Sequence, residues 1–281
     1  MSELPTFEVQ GRPLGGGRPF LIAGPCVLES RELTLRIAER LSEMTRDLEV
    51  DLIFKASFDK ANRTSLSTGR GPGIEGGLGW LGEVRRDLGL PTLTDVHLPE
   101  QCAPAAECVD VLQIPAFLCR QTDLLVAASQ TGCAVNVKKG QFLAPWDMQH
   151  VTDKLRGAGC EQIAVTERGS TFGYGRLVVD MTGLRDLSAT GAPLIIDATH
   201  AVQRPGEGGR TGGDRTLAPL VARSAFATGL VDGLFCEVHP DPDSSPSDGP
   251  NMIQLEDFPE VLRGCLAIHR AAGAGCRAAG A

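Results

Sequence analysis

The sequence lacks the features that would mark a membrane, secreted or zinc-ribbon protein. No apolar run approaches the ~20 residues that a transmembrane helix needs, and the start at 1–5, MSELP, lacks the layout of a signal peptide. The nine cysteines contain no C-x-x-C pair, and they are scattered among small apolar residues where cysteine packs as a hydrophobe. These absences predict a soluble cytoplasmic protein with reduced thiols.

The sequence also lacks an excess of positive charge. Lysine and arginine number 27 against 35 aspartates and glutamates, which gives a formal net charge of −8. A general nucleic-acid binder needs a basic face that displaces counterions, so we expect no nucleic-acid partner. Phosphorylated small molecules remain possible ligands, because a few local cations can hold a phosphate inside an acidic protein.

Short runs that are apolar on both faces recur along the chain, as buried parallel strands require. No G-x-G-x-x-G follows the first run, which counts against a doubly wound nucleotide-binding sheet. The length of 281 residues suits one α/β barrel. We predict a (β/α)8 TIM barrel in one domain spanning 1–281, with strands at 20–24, 52–54, 92–95, 109–114, 134–137, 162–166, 194–197 and 233–237.

Helical periodicity fills the gaps between the predicted strands. Ser30 can cap a helix whose apolar stripe begins at Leu33, and a second stripe begins at Phe258. A short strand or hairpin at 7–19 is expected to close the barrel floor, and 271–281 is expected to be a frayed tail. Other helices are predicted at 74–88, 120–130, 147–157 and 215–227.

Metal-ligating side chains follow three of the predicted strands, at the end where barrel enzymes place their catalytic groups. Cys26 follows the first strand, while His200 and Glu237 follow the seventh and eighth. These strands are neighbours once the barrel closes, and Asp248 can reach in from the next loop. A thiolate, an imidazole and two carboxylates suit Zn²⁺, Mn²⁺, Fe²⁺ or Co²⁺. Spacing alone leaves open a packed Cys26 and a structural His200.

Cations form a second set of candidate residues at the same end. Lys60, Arg63, Lys138 and Arg168 follow three different strands, although a single surface lysine is normally just solvated. Together they predict a mouth that binds two phosphates, or a phosphate and a carboxylate. A Schiff-base role for Lys138 is an alternative. Further polar residues at strand ends are Lys55, Asp95 and Gln113.

The glycine-rich run 203–215 follows His200 and contains five glycines, too many for a stable element. It is either a plain flexible loop or a lid that closes over the mouth.

Several motifs together resemble those of 3-deoxy-D-manno-octulosonate-8-phosphate synthases, in order from about Phe20 to Leu266. KANR at 60–63 is the most specific, because the related heptulosonate-7-phosphate synthases carry a Lys-Pro-Arg version there. The other motifs are AGPC at 23–26, QIPAF at 113–117, NVKK at 136–139, ERGS at 167–170, DATH at 197–200, EVHPDP at 237–242 and SDG at 247–249.

This resemblance implies a reaction in which phosphoenolpyruvate, D-arabinose 5-phosphate and water give the eight-carbon sugar phosphate and inorganic phosphate. It also implies a homotetramer and a place in lipopolysaccharide synthesis. The family has a metal-dependent and a metal-independent branch, with cysteine or asparagine at the position of Cys26. Cysteine here implies the metal-dependent branch, with Cys26, His200, Glu237 and Asp248 as ligands.

The resemblance further implies roles for the cations and their neighbours. Lys60, Lys138, Arg168 and Gln113 match phosphoenolpyruvate contacts, whereas the pentose phosphate contacts match Asn62, Arg63 and Ser65. We expect Lys60, Lys138, His200 and Asp248 to act in catalysis, and Lys55 and Asp95 to contact substrate. Two departures concern loop stiffness: Gly140 replaces an expected proline, and the 203–215 run is unusually rich in glycine.

Three alternative functions stay open at this point. A heptulosonate-7-phosphate synthase would use erythrose 4-phosphate in place of the pentose. A Schiff-base aldolase would use Lys138 and need no metal. A non-catalytic metal- or thiol-sensing barrel would leave the four cations at the mouth without a purpose.

Overall fold

The strands and helices form the closed (β/α)8 barrel that the sequence predicts. The structure is a computed structural model that describes residues 4–62, 69–206 and 212–273. Strands β1–β8 are Phe20–Gly24, Asp51–Lys55, Thr92–Asp95, Val111–Ile114, Ala134–Lys138, Ile163–Glu167, Leu194–Asp197 and Gly233–His239. Helices α1–α8 are Arg31–Asp47, Gly73–Leu88, Pro99–Cys108, Thr122–Ser129, Met148–Gly157, Gly183–Ser188, Ala218–Ala227 and Phe258–Ala272.

Each strand runs parallel to the next one along the chain, and β8 pairs with both β7 and β1. Closure leaves the eight-stranded sheet without a free edge. It also makes β7, β8 and β1 consecutive around the wall, as the prediction for the metal-ligating residues required. Because the strands are parallel, all eight carboxyl ends open at one mouth.

The core has two layers because strand residues alternate between the faces of the sheet. Phe20 and Ile22 of β1 point into the barrel, where they join Phe235 of β8. Leu21 and Ala23 point outward and join the larger cluster that packs the helices against the sheet. Both faces of each strand are therefore buried, which explains why polar and apolar residues do not alternate along the strands.

An N-terminal hairpin packs against the end of the barrel opposite the mouth. Thr6–Val9 pairs antiparallel with Arg12–Gly15, and Phe7, Val9 and Leu14 belong to the inner cluster of the barrel. The hairpin therefore covers the inner core at the end of the barrel opposite the mouth. The mouth is the end that stays open, and the polar side chains collect there.

The helix predictions are confirmed where the apolar stripe is long. The Ser30 hydroxyl accepts the Leu33 N–H at the start of α1, and the predicted stripe of α8 is buried. The predicted 215–227 helix begins with a 3₁₀ turn, and α7 proper starts at Ala218. None of the helices in the described ranges has both the length and the hydropathy that crossing a bilayer requires. Helix α8 ends at Ala272, and 274–281 lie outside the described residues.

Candidate active site

Three of the four predicted metal ligands meet at the mouth. The Cys26 sulfur, a Glu237 carboxylate oxygen and an Asp248 carboxylate oxygen all lie within 4.8 Å of one another. Cys26 follows β1, Glu237 lies in β8, and Asp248 lies in the loop after β8. His200 stands beside this group, with its Nε2 3.5 Å from Glu237 Oε1. The geometry therefore offers a compact thiol–carboxylate group with an imidazole at its edge.

The donor set fits a divalent transition metal. Burial and the neighbouring Glu237 carboxylate raise the pKa of the Cys26 thiol well above its ordinary value. A thiol in that setting gives up its proton when a nearby cation offsets the negative charge. Glu237 Oε2 is buried and has no hydrogen-bond partner among the described residues. A metal ion would satisfy both groups at once.

Asp197 fixes His200 in one orientation. The Asp197 Oδ2 atom lies 2.7 Å from His200 Nδ1, and its Oδ1 accepts the His200 backbone N–H at 2.9 Å. We assign the Nδ1 proton to this contact, which leaves the Nε2 lone pair directed at the Cys26–Glu237–Asp248 group. Burial opposes the charge on Asp197, but His200 and Lys138 hold its pKa well below the ordinary range.

Lys138 lies deep in the mouth on the floor of the site. Its Nζ donates to Asp197 Oδ2 at 2.6 Å and lies 3.5 Å from the centroid of the Phe235 ring. Burial lowers the pKa of this lysine, while Asp197 opposes that effect. The carboxylate and the aromatic face both stabilise the cation where water is largely excluded.

Two further lysines surround Glu237. Lys55 Nζ donates to Glu237 Oε1 at 2.7 Å and to the Cys26 carbonyl at 3.0 Å, so it ties β2 to β1 and β8. Lys60 Nζ lies 3.9 Å from the same Glu237 oxygen. Burial opposes the charge on Lys60, but Cys26 and Glu237 hold its pKa above the ordinary value. Lys60 therefore remains cationic at the mouth.

A chain of polar side chains crosses the barrel interior beneath these cations. Asp95 accepts from Ser57 Oγ at 2.5 Å and from Gln113 Nε2 at 2.6 Å. Gln113 Oε1 accepts from Asn136 Nδ2, and Asn136 Oδ1 accepts from Thr166 Oγ1, both at 2.8 Å. The predicted residues Asp95 and Gln113 are thus parts of a buried network that links β2 to β6, and the network limits their freedom to reorient.

Arg168 joins the glycine-rich run to the site. Its Nη2 donates to Gln203 Oε1 at 2.6 Å, and Gln203 Nε2 donates to Asp248 Oδ1 at 3.0 Å. Arg168 Nη1 is buried and has no partner in the described part of the chain. A buried guanidinium nitrogen without a partner suits an anionic ligand.

The remaining predicted residues lie at the rim. Asn62 is exposed in a turn after Lys60, while Arg63 and Ser65 lie outside the described residues. The glycine-rich run starts as a short antiparallel pair, in which Gln203–Arg204 faces Gly212–Gly213. Residues 207–211 lie outside the described ranges, so closure over the mouth stays a prediction.

Sequence reasoning missed several contacts that shape the site. Asp197 ends the predicted strand at 194–197, and only the D-x-x-H spacing of the DATH motif hints at its double contact with His200 and Lys138. Gln203 was assigned only to the possible lid. Ser247, whose Oγ lies 3.1 Å from the Cys26 sulfur, stands out in the sequence only as part of the SDG motif at 247–249.

Comparison with known proteins gives a consistent result. The model of the DAHP synthetase I family matches residues 7–266. A 2-dehydro-3-deoxyphosphooctonate aldolase of Desulfatibacillum aliphaticivorans is 56% identical over 270 residues, covering 95% of this chain and 98% of the relative. A protein of the same name from Methylobacterium radiotolerans is 59% identical, covering 90% of this chain and 89% of the relative. Another, from Geobacter metallireducens, is 55% identical and covers 91% of this chain and 94% of the relative.

Proposed function

The chain belongs to the DAHP synthetase I family, and we propose that it is a 3-deoxy-D-manno-octulosonate-8-phosphate synthase, also called 2-dehydro-3-deoxyphosphooctonate aldolase. It condenses phosphoenolpyruvate with D-arabinose 5-phosphate and water, and it releases inorganic phosphate. The relatives that carry this name cover most of the chain, which favours this function over the heptulosonate-7-phosphate alternative. The product serves lipopolysaccharide synthesis, and we place the reaction in the cytoplasm.

The observation that carries this proposal is the pairing of a metal-ligating group with buried cations in one mouth. Cys26, Glu237 and Asp248 approach one another within 4.8 Å. Lys138 and Arg168 lie in the same mouth, on β5 and directly after β6, and both are buried. A metal-assisted reaction between two anionic substrates needs this combination.

We assign the metal to Cys26, Glu237 and Asp248, with His200 as the fourth ligand. Thiolate and imidazole donors suit Zn²⁺, Mn²⁺, Fe²⁺ or Co²⁺ better than Mg²⁺. When bound, such an ion would supply Lewis acidity toward the aldehyde or toward the attacking water.

Lys60, Lys138 and Arg168 bind phosphoenolpyruvate in this proposal, and the network through Gln113 and Asp95 supports that site from below. Lys55 holds Glu237 in place from the same side. Asn62, together with Arg63 and Ser65 of the adjoining segment, receives the phosphate of the pentose. The cations offset the repulsion between two phosphorylated substrates and hold them in register, which makes the bond-forming step effectively intramolecular.

The chemistry consists of one condensation and one expulsion. The electron pair of the double bond between carbons 2 and 3 of phosphoenolpyruvate forms a bond from carbon 3 to the aldehyde carbon, the aldehyde oxygen takes up a proton, and carbon 2 becomes electrophilic. Water adds to carbon 2 and loses a proton, which gives a hemiketal phosphate. The carbon 2 hydroxyl then loses its proton and forms the ketone, while the bond between carbon 2 and the phosphate oxygen breaks and its electron pair leaves with inorganic phosphate.

His200 and Asp248 complete the catalytic set. Asp197 holds the His200 ring so that Nε2 faces the site, and Gln203 holds one oxygen of Asp248. Both side chains are therefore oriented before substrate arrives, which reduces the reorganisation needed during the reaction.

We also propose that the protein forms a homotetramer through an aromatic patch beside the mouth. The patch comprises Phe117, Phe142, Trp146, Phe172 and Tyr174, which are between 57% and 67% exposed. The Thr171 N–H donates to the Gln141 carbonyl at 3.0 Å, so the loops after β5 and β6 are joined. Exposed aromatic side chains on neighbouring loops, two of which (Phe172 and Tyr174) pack edge to face, are typical of an interface.

Glycine at 140 suits the aromatic patch. A Cβ atom at that position would lie 2.9 Å from Phe142 Cζ and 3.1 Å from the Ala116 carbonyl oxygen. A side chain at position 140 would therefore have to displace the Phe142 ring from its present place.

Sedimentation velocity tests the tetramer with the double variant Trp146→Lys, Phe172→Lys. We expect smaller species, whereas Leu220→Lys on α7, also exposed, should leave the wild-type state unchanged. An unchanged sedimentation coefficient in the double variant would place the interface elsewhere.

The function is tested by mixing the purified protein with phosphoenolpyruvate and arabinose 5-phosphate. Release of inorganic phosphate, together with an eight-carbon sugar phosphate identified by mass spectrometry, is the expected result. Phosphate release without that product would mean that the protein only hydrolyses phosphoenolpyruvate.

A further inference from the structure

Asp248 and Cys26 lie on different loops, and a contact between those loops is what brings them together. Cys26 lies in the loop between β1 and α1, which also contains Glu29. Asp248 lies in the loop after β8, which also contains Ser245 and Ser247. The two loops are more than 200 residues apart in the chain, so their relative position depends on contacts between side chains.

We propose that Glu29 is a positioning residue that fastens the Asp248 loop to the Cys26 loop. The proposal rests on the metal site proposed above. Glu29 does not itself approach the Cys26–Glu237–Asp248 group; it acts through Ser245 and His239.

One oxygen of Glu29 receives two contacts from the β8 side. The Ser245 hydroxyl lies 3.1 Å from Glu29 Oε1, and His239 Nε2 lies 3.2 Å from the same oxygen. The second contact is too bent to count as a hydrogen bond, since His239 Nε2 has no aligned partner among the described residues. It nevertheless places a buried imidazole nitrogen directly against the carboxylate.

The His239 ring is held in one orientation by its own loop. Its Nδ1 accepts the Asp241 backbone N–H at 3.0 Å, so the ring proton lies on Nε2 and faces Glu29. Without the carboxylate, this buried N–H would face no acceptor. The Glu29 carboxylate therefore offsets part of the cost of burying this N–H by electrostatic attraction, without an aligned hydrogen bond.

Ser245 extends the connection toward the proposed ligands. Its Oγ also lies 3.2 Å from the Ser247 carbonyl oxygen, and the single hydroxyl proton is shared between that oxygen and Glu29. The Ser247 hydroxyl in turn lies 3.1 Å from the Cys26 sulfur and 3.3 Å from Asp248 Oδ2. Glu29 is thus linked to both ligands through one short turn.

Asp248 needs such support because its backbone lies in the left-handed region, with a φ of 52°. Residues with a side chain adopt that conformation at some cost in energy, and neighbouring contacts must maintain it. If the turn relaxed, the Asp248 carboxylate would leave the Cys26 sulfur. Outer contacts of this kind often control metal affinity without touching the metal.

The test measures Co²⁺ binding to metal-depleted protein, with the Kd obtained by competition with a chelator. The thiolate-to-cobalt absorption band reports Cys26, and the d–d bands report the geometry of the remaining ligands. The variants are Glu29→Ala, Ser245→Ala and the conservative Glu29→Gln, whose amide oxygen can still accept. Glu39→Ala, an exposed change on α1, is the matched control.

We expect Glu29→Ala to weaken Co²⁺ affinity by about tenfold to 100-fold and to change the d–d bands while the thiolate band persists. Ser245→Ala should act in the same direction, Glu29→Gln should recover most of the affinity, and Glu39→Ala should match the wild type. Circular dichroism checks that each variant is folded.

Wild-type affinity and unchanged d–d bands in folded Glu29→Ala and Ser245→Ala would overturn the positioning role and leave the metal site intact. A wild-type protein with no thiolate band would instead overturn the metal site and this proposal together.

Discussion

Asp248 Oδ2 lies 3.2 Å from the sulfur of Cys26, although 222 positions separate the two residues in the chain. Closure of the barrel produces this contact, because β8 pairs with β1 and carries the following loop over the end of the first strand. The contact defines the candidate metal group, and the first prediction concerns its sulfur.

Replacing Cys26 by alanine should abolish metal binding and reduce turnover by on the order of 100-fold or more, because the thiolate is the softest ligand in the set. Metal content by mass spectrometry and the rate of phosphate release measure the two effects. Cys265→Ala, which removes an equally buried thiol from α8, is the control. It should cost some thermal stability through a small cavity and leave metal content unchanged. Full metal content in the Cys26 variant would refute the assignment.

Arg168→Lys should raise the KM for phosphoenolpyruvate and lower kcat/KM by about tenfold to 100-fold, or about 1.4–2.8 kcal/mol. Arginine contacts Gln203 through Nη2 and keeps Nη1 for an anion, whereas lysine offers one nitrogen for both purposes. Steady-state kinetics with each substrate varied separately provide the measurement. Arg185→Lys, exposed on α6, should behave as the wild type. An unchanged KM for phosphoenolpyruvate in the Arg168 variant would place that substrate elsewhere.

Asp95→Asn should lower the melting temperature at neutral pH, and the difference should shrink in acid. Burial opposes the Asp95 charge, but Lys55 and Lys60 hold its pKa below the ordinary 3.8. A carboxyl group whose pKa is lower in the folded protein than in the unfolded chain stabilises the fold at pH values above its unfolded pKa. That stabilisation is lost as the pH falls through the pKa of the folded state. Removing one partner of a buried pair costs about 3–5 kcal/mol.

Melting curves of the wild type and the Asp95→Asn variant from pH 7 downward give the comparison. The wild-type curve should move toward that of the variant only below pH 3.8. A constant difference across that range would show that hydrogen bonding alone, and not charge, accounts for the role of Asp95.

Gly213→Ala should impair turnover by disturbing the base of the glycine-rich run. A Cβ at this position would lie 1.6 Å from Asn251 Oδ1, so either the buried Asn251 side chain or the Gly212–Gly213 strand must shift. Gly82→Ala in α2 has open space around its Cβ and should be neutral or slightly stabilising. Phosphate release by the two variants compares them directly. Equal activity would mean that this strand can move without affecting the site.

The barrel was predictable because its signals are local and repeated. The runs at 20–24, 92–95 and 194–197 match β1, β3 and β7 to the residue. The 109–114 run was predicted too long, since the Val109 N–H still bonds to Ala105 at the end of α3 and the Asp110 side chain accepts the Thr92 N–H. Helices α3 and α6 were missed because α3 contains an internal proline and α6 has only six residues.

The candidate site was predictable only in part. Strand ends located Cys26 and Glu237, because their positions follow from the barrel itself. The bridge from Arg168 through Gln203 to Asp248 depends on how two loops fold over the mouth, and no periodicity in the sequence encodes that. Gln113 looked like a simple ligand contact, but it is also a link in a buried chain from Ser57 to Thr166.

The most direct test of the account compares phosphate release from phosphoenolpyruvate with arabinose 5-phosphate and with erythrose 4-phosphate, each with and without a chelator. We predict turnover with the pentose phosphate that disappears on chelation and returns with Mn²⁺ or Zn²⁺, and little turnover with the tetrose phosphate. Preference for the tetrose phosphate, or full activity in metal-free protein, would contradict the substrate or the metal assignment respectively.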